Sequence, residues 1–420
     1  MSSQQQKKLV VGLFGFGVVG EGVYKVLQQT TSLNASIKKI CIKNPDKPRS
    51  APGELFTTDA ALLLNDEEIN VIIELIDDAE AAFTIVARSL AAGKAVVSAN
   101  KKMIAEHLEE LLILQEKYET PLLYEAAACA GIPVIRNLEE YYDNDLLQSI
   151  KGIVNGSTNY ILTKVLDEGV DYATALLQAQ IEGFAESDPT LDVEGTDAAN
   201  KLTLLLAHAY GIVTEPSSLT YCGIQNLTNE DAVYAREKGY QVKLVAQATK
   251  LKYGQVAAFV LPQFVDRYSE LYNVKNEYNG VVIESSLADN QFFYGKGAGS
   301  FPTASAVLSD LSALRYNYRY EYRKLQQQSA LTLSDDYYLR VYVSFNKLFQ
   351  VPQEVFEQIT EWSSNESRCY VTGTIHHSAL LQSDWWRKPG TSLIVLPEAF
   401  DKRVRIKEHA QWREYEPAAL

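Results

Sequence analysis

The sequence predicts an α/β protein in which an N-terminal parallel sheet is followed by an α+β domain and a small C-terminal α+β module. Three observations support this fold class. An apolar run near the N-terminus leads into a glycine-rich turn and a helical pattern. Short apolar runs then alternate with alanine- and leucine-rich helical stretches, and this alternation stops at about residue 150. Strands that alternate with helices form parallel sheets covered on both faces.

The length and charge of the chain narrow its organisation and its partners. A chain of 420 residues exceeds the usual size of one hydrophobic core, so two or three domains are expected. The formal net charge of -14 disfavours nucleic acid and anionic membranes as partners, because both would repel the chain. The expected ligand is therefore a small molecule. The polar first residues, and the lack of any apolar stretch of ~20 residues, favour a cytoplasmic location.

Cysteine and histidine spacing predicts reduced thiols and no transition-metal site. The four cysteines form no C-x-x-C pair, and the five histidines lack the spacing of a zinc site. His376 and His377 are the only adjacent histidines. With no carboxylate or thiol close in sequence, we interpret them as surface residues.

The first predicted domain binds a dinucleotide and covers residues 1–135. Its strands are expected at the apolar runs Leu9–Phe14, Ile40–Ile42, Val71–Ile76 and Ala95–Ser98. A later glycine-rich segment, Gly295–Gly299, precedes a helical pattern that could return to this domain and complete it over about residues 296–326.

The second predicted domain binds the substrate and covers residues 136–295. It contains strand-like runs at Ile150–Val154 and Val242–Ala246 and a long helical pattern at Thr196–Tyr210. Residues 335–420 form the C-terminal module, for which the pattern predicts strand, helix, strand and strand at Tyr338–Phe345, Val355–Trp362, Cys369–Gly373 and Ser392–Leu396.

The glycine turn predicts a Rossmann-type nucleotide site. Its residues fit G-x-G-x-x-G between an apolar strand and a helix, and they are Gly15, Phe16, Gly17, Val18, Val19 and Gly20. Such glycines let the backbone approach a pyrophosphate, and the helix N-terminus supplies amide donors. A purely structural turn is the alternative.

The end of the second strand bears on the choice of cofactor. An acidic residue there would bind the ribose hydroxyl of NAD and repel the 2′-phosphate of NADP. This chain has Lys43 and Asn44 instead, in a basic neighbourhood. The sequence therefore favours NADP over NAD, with NAD still open and a merely solvated basic edge as the alternative.

A dense group of charged residues marks the second domain. Asp197 and Lys201 are four residues apart in the predicted helix, with Thr196 as its expected N-cap, so their side chains share one face. Such a pair is often only a surface salt bridge. However, the helix continues as an apolar run, which favours a buried cleft edge where a lysine could give or accept a proton.

Six segments, in order, resemble homoserine dehydrogenases over about residues 9–311. They are GFGVVG at Gly15, SANK at Ser98, YEAAACAGIP at Tyr124, NGSTNYI at Asn155, AESDPTLDVEGTDAANKL at Ala185 and GKGAGSFPTASAV at Gly295. The resemblance implies interconversion of L-aspartate 4-semialdehyde and L-homoserine with NAD or NADP, a step toward threonine and methionine. It also implies a homodimer or homotetramer that associates through the substrate domain.

The resemblance also assigns roles to residues of this chain. Lys201 matches the family's proton donor, and Asp197 matches the aspartate beside it. Glu186 and Asp192 match substrate-holding positions, and Lys101 matches a lysine beside the nicotinamide and the substrate.

The resemblance implies further residues at the cofactor and at a bound cation. Ser98 and Gly297 lie in the matched motifs and are expected at the cofactor. Glu125 and the backbone carbonyls of three neighbours match a sodium-type monovalent cation site, and those neighbours are Ala128, Ala130 and Ile132. Without the family, Glu125 would be a capping or solvated carboxylate.

Two features depart from the family pattern. Asp77 and Asp78 stand where the family usually has two small residues, and two negative charges near the bound cofactor would alter its affinity or the loop geometry. The C-terminal module matches the family's regulatory ACT domain only loosely. Two alternatives therefore stay open: another amino-acid semialdehyde dehydrogenase, and a catalytically silent nucleotide-sensing protein.

Overall fold

The computed structural model describes most of the chain as two compact units. It covers residues 8–30, 32–144, 146–327, 330–346, 351–364 and 369–400, and the backbone of 405–408 and 411–414. The first unit comprises Met1–Asp143, Thr203–His208 and Lys296–Arg323. The second comprises Asn144–Leu202, Ala209–Gly295 and Lys324–Leu420. No helix among the described residues has the length and apolar character needed to cross a membrane.

The first unit contains a six-stranded parallel sheet. Its strands are β1 (Leu9–Phe14), β2 (Ala35–Cys41), β3 (Phe56–Thr57), β4 (Val71–Glu74), β5 (Ala95–Ser98) and β6 (Leu122–Leu123). They lie in the order β3-β2-β1-β4-β5-β6, with every neighbouring pair parallel. This is the order of doubly wound dinucleotide-binding sheets, so the predicted Rossmann-type sheet is confirmed.

Helices of the first unit follow its strands. They are α1 (Val18–Gln29), α2 (Ala61–Leu64), α3 (Ala79–Ala91), α4 (Lys101–Glu106), α5 (Leu108–Tyr118), α6 (Glu125–Cys129), α7 (Val134–Glu140) and, much later in the chain, α13 (Ser300–Leu314). Helix α13 packs closely on α1, because a Cβ at Gly22 would lie 3.0 Å from the carbonyl oxygen of Ser300. The segment after Gly295 therefore returns to the first unit.

The second unit is built on one mixed sheet. Its strands are β7 (Leu147–Ile153), β8 (Thr220–Tyr221), β9 (Gln241–Lys250), β10 (Gln255–Val265), β11 (Tyr278–Ser285), β12 (Asp289–Lys296), β13 (Thr332–Leu333), β14 (Tyr338–Phe345), β15 (Phe356–Ser364), β16 (Cys369–His376) and β17 (Thr391–Phe400). The main order is β12-β11-β7-β9-β10-β17-β14-β16-β15, and β8 and β13 also pair with β10. Strands β18 (Arg405–Glu408) and β19 (Gln411–Glu414) pair with each other in a separate antiparallel sheet.

Helices of the second unit carry its charged cluster. They are α8 (Gly156–Thr163), α9 (Tyr172–Ile181), α10 (Thr190–Val193), α12 (Asn229–Lys238), α14 (Ser378–Leu381) and the two ends of α11 (Thr196–Tyr210), whose residues Thr203–His208 belong to the first unit. The predicted helix Thr196–Tyr210 is confirmed as α11, and its apolar run is buried. Thr196 is the first helical residue and not the N-cap, so that prediction is wrong by one position.

The C-terminal residues require two corrections. Val355–Trp362 was expected to be a helix because Val355, Ile359 and Trp362 repeat at helical spacing, but Phe356–Ser364 is a strand at the sheet edge, paired with β16. Pairing with a neighbouring strand outweighs a weak helical period. The surface interpretation also fails for His377, which is only 1% exposed.

Candidate functional site

The glycine turn has the shape that a dinucleotide needs. Gly15 has a φ of +92°, and a Cβ there would lie 2.5 Å from the carbonyl oxygen of Leu75. A Cβ at Gly20 would lie 2.4 Å from the Gly15 carbonyl oxygen, whereas one at Gly17 would meet nothing within 4 Å. Gly15 and Gly20 therefore allow the tight turn, and Gly17 leaves open space before helix α1. This cradle fits a pyrophosphate at a helix N-terminus.

The other residues of the turn differ in exposure. Val18 is 69% exposed, while Phe16 packs edge-on against Tyr24 and Phe56 at ring-centroid distances of 5.8 and 5.1 Å. Val19 is half-buried in the first turn of α1. Phe16 thus anchors the turn, and the exposed residues offer their backbone amides.

Lys43 lies in the exposed loop that follows strand β2. In the same loop, Arg49 donates to the carbonyl oxygen of Lys47 at 2.6 Å, and its guanidinium carbon lies 5.4 Å from the centre of the Phe56 ring. The loop is therefore basic and folded on itself. An exposed lysine beside it is compatible with a phosphate ligand.

The ends of β4 and β5 are tied together by a buried carboxyl group. The Ser98 hydroxyl donates to Glu74 at 2.6 Å, and the Ile76 amide donates to the same carboxyl group at 2.7 Å. Burial raises the pKa of Glu74 to about 7. The Asn100 side chain donates to the Ile76 carbonyl and caps helix α4 by accepting from Met103.

This network places two predicted cofactor residues. The hydroxyl of Ser98 is fully buried and directed at Glu74, so its structural contribution is to hold the strand ends. Lys101 follows directly as the half-buried first residue of α4. Gly297 is buried in the segment before α13, and Ser300 of that segment donates to the Val18 carbonyl at 2.7 Å.

The departure at Asp77 and Asp78 has a partial structural reason. Both residues are exposed, and Asp78 is the N-cap of α3, where its carboxylate accepts from the Ala81 amide at 3.0 Å. A carboxylate at a helix N-terminus is stabilised by the free amide groups there. Nothing in the structure explains Asp77.

The charged cluster of the second unit is compact and largely buried. Lys201 Nζ lies 2.9 Å from Asp197 Oδ2 and donates to the Val154 carbonyl oxygen at 2.6 Å. The side chains of Lys201 and Asp197 are 8% and 4% exposed. Their arrangement is therefore not that of a solvated surface salt bridge.

Asn155 organises the carboxylates of this cluster. Its amide nitrogen donates to Asp192 at 2.7 Å and to Asp197 at 2.8 Å. Its oxygen accepts from the Thr158 amide at 2.8 Å, which caps helix α8. Asp192 is half-buried, whereas Glu186 is exposed on the loop before α10. The structure thus brings Lys201, Asp197 and Asp192 together and leaves Glu186 at the surface.

Sequence reasoning missed Asn155 and Glu74 as organising residues. Asn155 begins the NGSTNYI segment, where an asparagine before a helix is a recognisable capping signal. Glu74 ends an apolar strand run, and a carboxylate at that place was the available signal.

The expected cation ligands lie around α6, where Glu125 caps helix α7. Each of its carboxylate oxygens accepts one backbone amide of helix α7, from Ile135 and Arg136, at 2.9 Å. Burial raises the pKa of Glu125, and the Arg136 guanidinium also pairs with Asp310 at 3.0 Å. The capping interpretation therefore describes its contacts. A carboxylate oxygen has two lone pairs, so one that caps a helix can also be a cation ligand.

The carbonyls expected to complete that site are those of Ala128, Ala130 and Ile132. All three residues are buried, and Ala130 adopts a φ of +43° at the turn after α6. The Ile132 carbonyl already accepts from the Val134 amide at 2.9 Å. Among the described residues, no group of three or more His, Cys, Asp or Glu side chains is arranged to hold a metal ion.

Comparison with known proteins agrees with these motifs. The family model for the homoserine dehydrogenase NAD binding domain matches residues 15–125, and the homoserine dehydrogenase model matches residues 133–312. Homoserine dehydrogenase from Bacillus subtilis is 36% identical over 322 residues, 74% of each chain. The enzyme from Corynebacterium glutamicum is 37% identical over 314 residues, 72% of this chain and 70% of that one.

A solved structure extends the similarity into the C-terminal residues. The crystal structure of a homoserine dehydrogenase from Thiobacillus denitrificans matches with a TM-score of 0.80 and 27% sequence identity. The match covers 93% of this chain and 98% of that chain. The chain therefore belongs to the homoserine dehydrogenase family of NAD(P)-dependent oxidoreductases.

Proposed function

We propose that this chain interconverts L-aspartate 4-semialdehyde and L-homoserine, with NADP preferred to NAD. The observation that carries the proposal is the buried pair of Lys201 and Asp197, with 2.9 Å between Nζ and Oδ2. Taking both charges out of water is costly unless they are paired and hydrogen-bonded. A buried ion pair of this kind contributes little net stability, so we infer that this pair serves the reaction.

Lys201 acts as the proton donor in the reductive direction. The ammonium group has three N–H donors, of which the Val154 carbonyl and the Asp197 carboxylate take two. The remaining N–H donates to the substrate oxygen as negative charge develops there. The bound nicotinamide supplies the hydride chemistry. Asp197 holds the ammonium in position, and Asn155 holds Asp197.

Substrate recognition rests on the charges around this pair. Asp192, held by Asn155 at 2.7 Å, binds the substrate amino group or hydroxyl. Glu186 is exposed, so it reaches the substrate only by movement of its loop or side chain. Lys101, at the start of α4, provides the positive charge for the substrate carboxylate.

Lys43 supports the preference for NADP. It is exposed after β2, where the ribose of the cofactor is recognised in Rossmann-type sheets. Gly15 to Gly20 form the pyrophosphate cradle, Ser98 holds the neighbouring strand ends, and Gly297, in the segment before α13, is a further cofactor residue. A lysine there attracts a 2′-phosphate, and no acidic side chain replaces it at the end of this strand.

We assign a sodium-type cation to Glu125 and the carbonyls of Ala128, Ala130 and Ile132. Hard oxygen ligands suit a group I ion. Nucleotide binding is assigned to residues 1–135 with 296–326, and substrate binding to 136–295. We also propose an ACT-like regulatory role for residues 335–420 and assembly of the chain into a homodimer or homotetramer.

A spectrophotometric assay tests the proposed reaction. Loss of NADPH or NADH absorbance is followed with L-aspartate 4-semialdehyde, in wild type and in Lys201→Ala. Turnover by Lys201→Ala should fall ~10²–10⁴-fold, the range of general acid assistance, while its Kd for NADPH stays unchanged.

Lys164→Ala is the matched control, because Lys164 also pairs with a carboxylate four residues away, Glu168, but the Glu168 side chain is 50% exposed. The control should retain wild-type turnover. Near-normal turnover by Lys201→Ala would remove this lysine from the mechanism, and a wild type that consumes neither reduced cofactor would refute the reaction.

A further inference from the structure

The turn after Asp192, the residue proposed to hold the substrate, contacts a second loop directly at two glycines. This loop, residues 220–226, is called the contact loop below. A Cβ at Gly223 would lie 1.7 Å from the carbonyl oxygen of Val193. The Ile224 amide donates to that same carbonyl oxygen at 2.8 Å.

The second glycine lies on the opposite side of the contact. Gly195 has a φ of +88°, and a Cβ there would lie 3.2 Å from the Cys222 carbonyl oxygen. The backbones of the turn and the contact loop therefore touch directly. A displacement of one must displace the other, because no flexible side chain separates them.

Two C-terminal side chains hold the contact loop from its other end. Arg387 Nη2 donates to the Tyr221 carbonyl oxygen at 3.0 Å, and the Asn226 side chain donates to the Arg387 carbonyl at 3.2 Å. His377 Nε2 lies 2.9 Å from the Thr220 hydroxyl oxygen. The contact loop is thus bonded to the C-terminal residues at three points, two at its first residues and one at its last residue, Asn226.

The groups that make these bonds are themselves fixed. The imidazole of His377 is buried and stacks on Tyr337 with 4.4 Å between ring centroids. The Arg387 guanidinium carbon lies 4.5 Å from the ring centre of Trp386, which is buried and donates to the Leu380 carbonyl at 2.9 Å. A stacked guanidinium loses little freedom when it forms a hydrogen bond.

We infer that Arg387 and His377 are positioning residues for substrate binding, and that they act on Asp192 through the contact loop. The inference rests on the proposed role of Asp192 in holding the substrate. Val193 directly follows Asp192, so the contact that fixes the Val193 carbonyl also limits where the Asp192 carboxylate can lie. Asn155 fixes the other side of that carboxylate at 2.7 Å.

The test compares Arg387→Ala with Arg340→Ala. Arg340 belongs to the same C-terminal segment but pairs with the exposed Glu398 at 3.3 Å, away from the contact loop. Homoserine oxidation with NADP gives the KM for each substrate, and hydrogen exchange measures protection of the amides at residues 192–197. In Arg387→Ala we expect the KM for homoserine to rise about five- to tenfold, as for a small misplacement of a binding group.

The KM for NADP should not change, and exchange at 192–197 should become faster only in Arg387→Ala. Arg387→Lys keeps a donor for the Tyr221 carbonyl and should recover part of the loss. The inference is overturned if exchange at 192–197 matches the Arg340→Ala control, or if exchange rises while the KM for homoserine stays unchanged. A wild type that does not oxidise homoserine refutes the proposed function, and the exchange comparison still decides the mechanical link.

Discussion

Changing Asn155 to aspartate should test the organisation of the charged cluster without removing a helix cap. Asn155 donates from one nitrogen to Asp192 and Asp197 at 2.7 and 2.8 Å, and its oxygen caps α8. Aspartate has nearly the same shape and caps a helix as well as asparagine does. It would, however, turn an acceptor toward the two carboxylates. The substitution therefore separates the donor function from the capping function.

The expected fall in kcat/KM follows from the two hydrogen bonds that the substitution removes. A hydrogen bond to a charged group contributes about 1.5–3 kcal/mol, and two of them make a loss of at least about 3 kcal/mol. Since about 1.4 kcal/mol is a tenfold change in rate, kcat/KM for homoserine should fall about a hundredfold or more. The loss should lessen as the pH is lowered, because a protonated carboxyl group at this position can donate again.

Homoserine oxidation with NADP between pH 6 and pH 9 measures this effect, and thermal unfolding reports the cap. Asn290→Asp is the matched control, because Asn290 donates to Glu270 at 3.1 Å in an exposed setting. The control should leave kcat/KM unchanged. If Asn155→Asp keeps kcat/KM within about threefold of wild type and unfolds at the wild-type temperature, Asn155 does not organise a catalytic cluster.

Predictions for four further variants concern the first unit. Gly17→Ala should leave Tm unchanged but raise the KM for NADP about tenfold or more, because its methyl group meets only the space for the pyrophosphate. Gly15→Ala should lower Tm as well, because its Cβ would lie 2.5 Å from the Leu75 carbonyl oxygen; equal Tm values for the two variants would contradict this. Lys43→Glu should raise the KM for NADP about tenfold or more and leave the KM for NAD nearly unchanged. An equal rise in both KM values would show that Lys43 does not bind the 2′-phosphate. Burial raises the pKa of Glu74 from 4.5 to about 7, so the folded state holds this proton more tightly, and stability falls as the pH rises through that interval. Glu74→Gln removes this dependence, so the Tm of the variant relative to wild type should increase from pH 5 to pH 8. The corresponding gain in the relative free energy of unfolding is at most about 3 kcal/mol. A Tm difference that does not change with pH would exclude a buried titrating carboxyl group.

The nucleotide half of the protein was predictable because its signals are local. A strand, three glycines and a helix lie within residues 9–29, and Gly15 and Gly20 meet steric demands of the turn itself. The helix Thr196–Tyr210 was equally predictable, since its apolar run has helical spacing and is buried in the structure. In both cases the information needed lies within one or two neighbouring elements.

The organisation of the charged cluster was not predictable in the same way. The spacing of Asp197 and Lys201 gives a shared helix face, but a surface ion pair has the same spacing. What distinguishes the two cases is the Val154 carbonyl and the Asn155 amide, which belong to the end of β7 and the start of α8. The distance in sequence between these groups and Lys201 hides their contact. Glu74 and Ser98 are a second example, joined only because β4 and β5 are neighbours in the sheet.

The C-terminal strands show the same limit for the hydrophobic core. An apolar run such as Tyr338–Phe345 predicts a buried strand, but it does not say which sheet will bury it. Here β17 lies between β10 and β14, with Gln263 opposite Val395, and Tyr337 packs near Phe259 in one shared core. Since the C-terminal strands and the substrate-domain strands bury each other's side chains, one sheet supports both the C-terminal strands and the contact loop, whose Cys222 amide donates to the Val260 carbonyl of β10 at 2.9 Å.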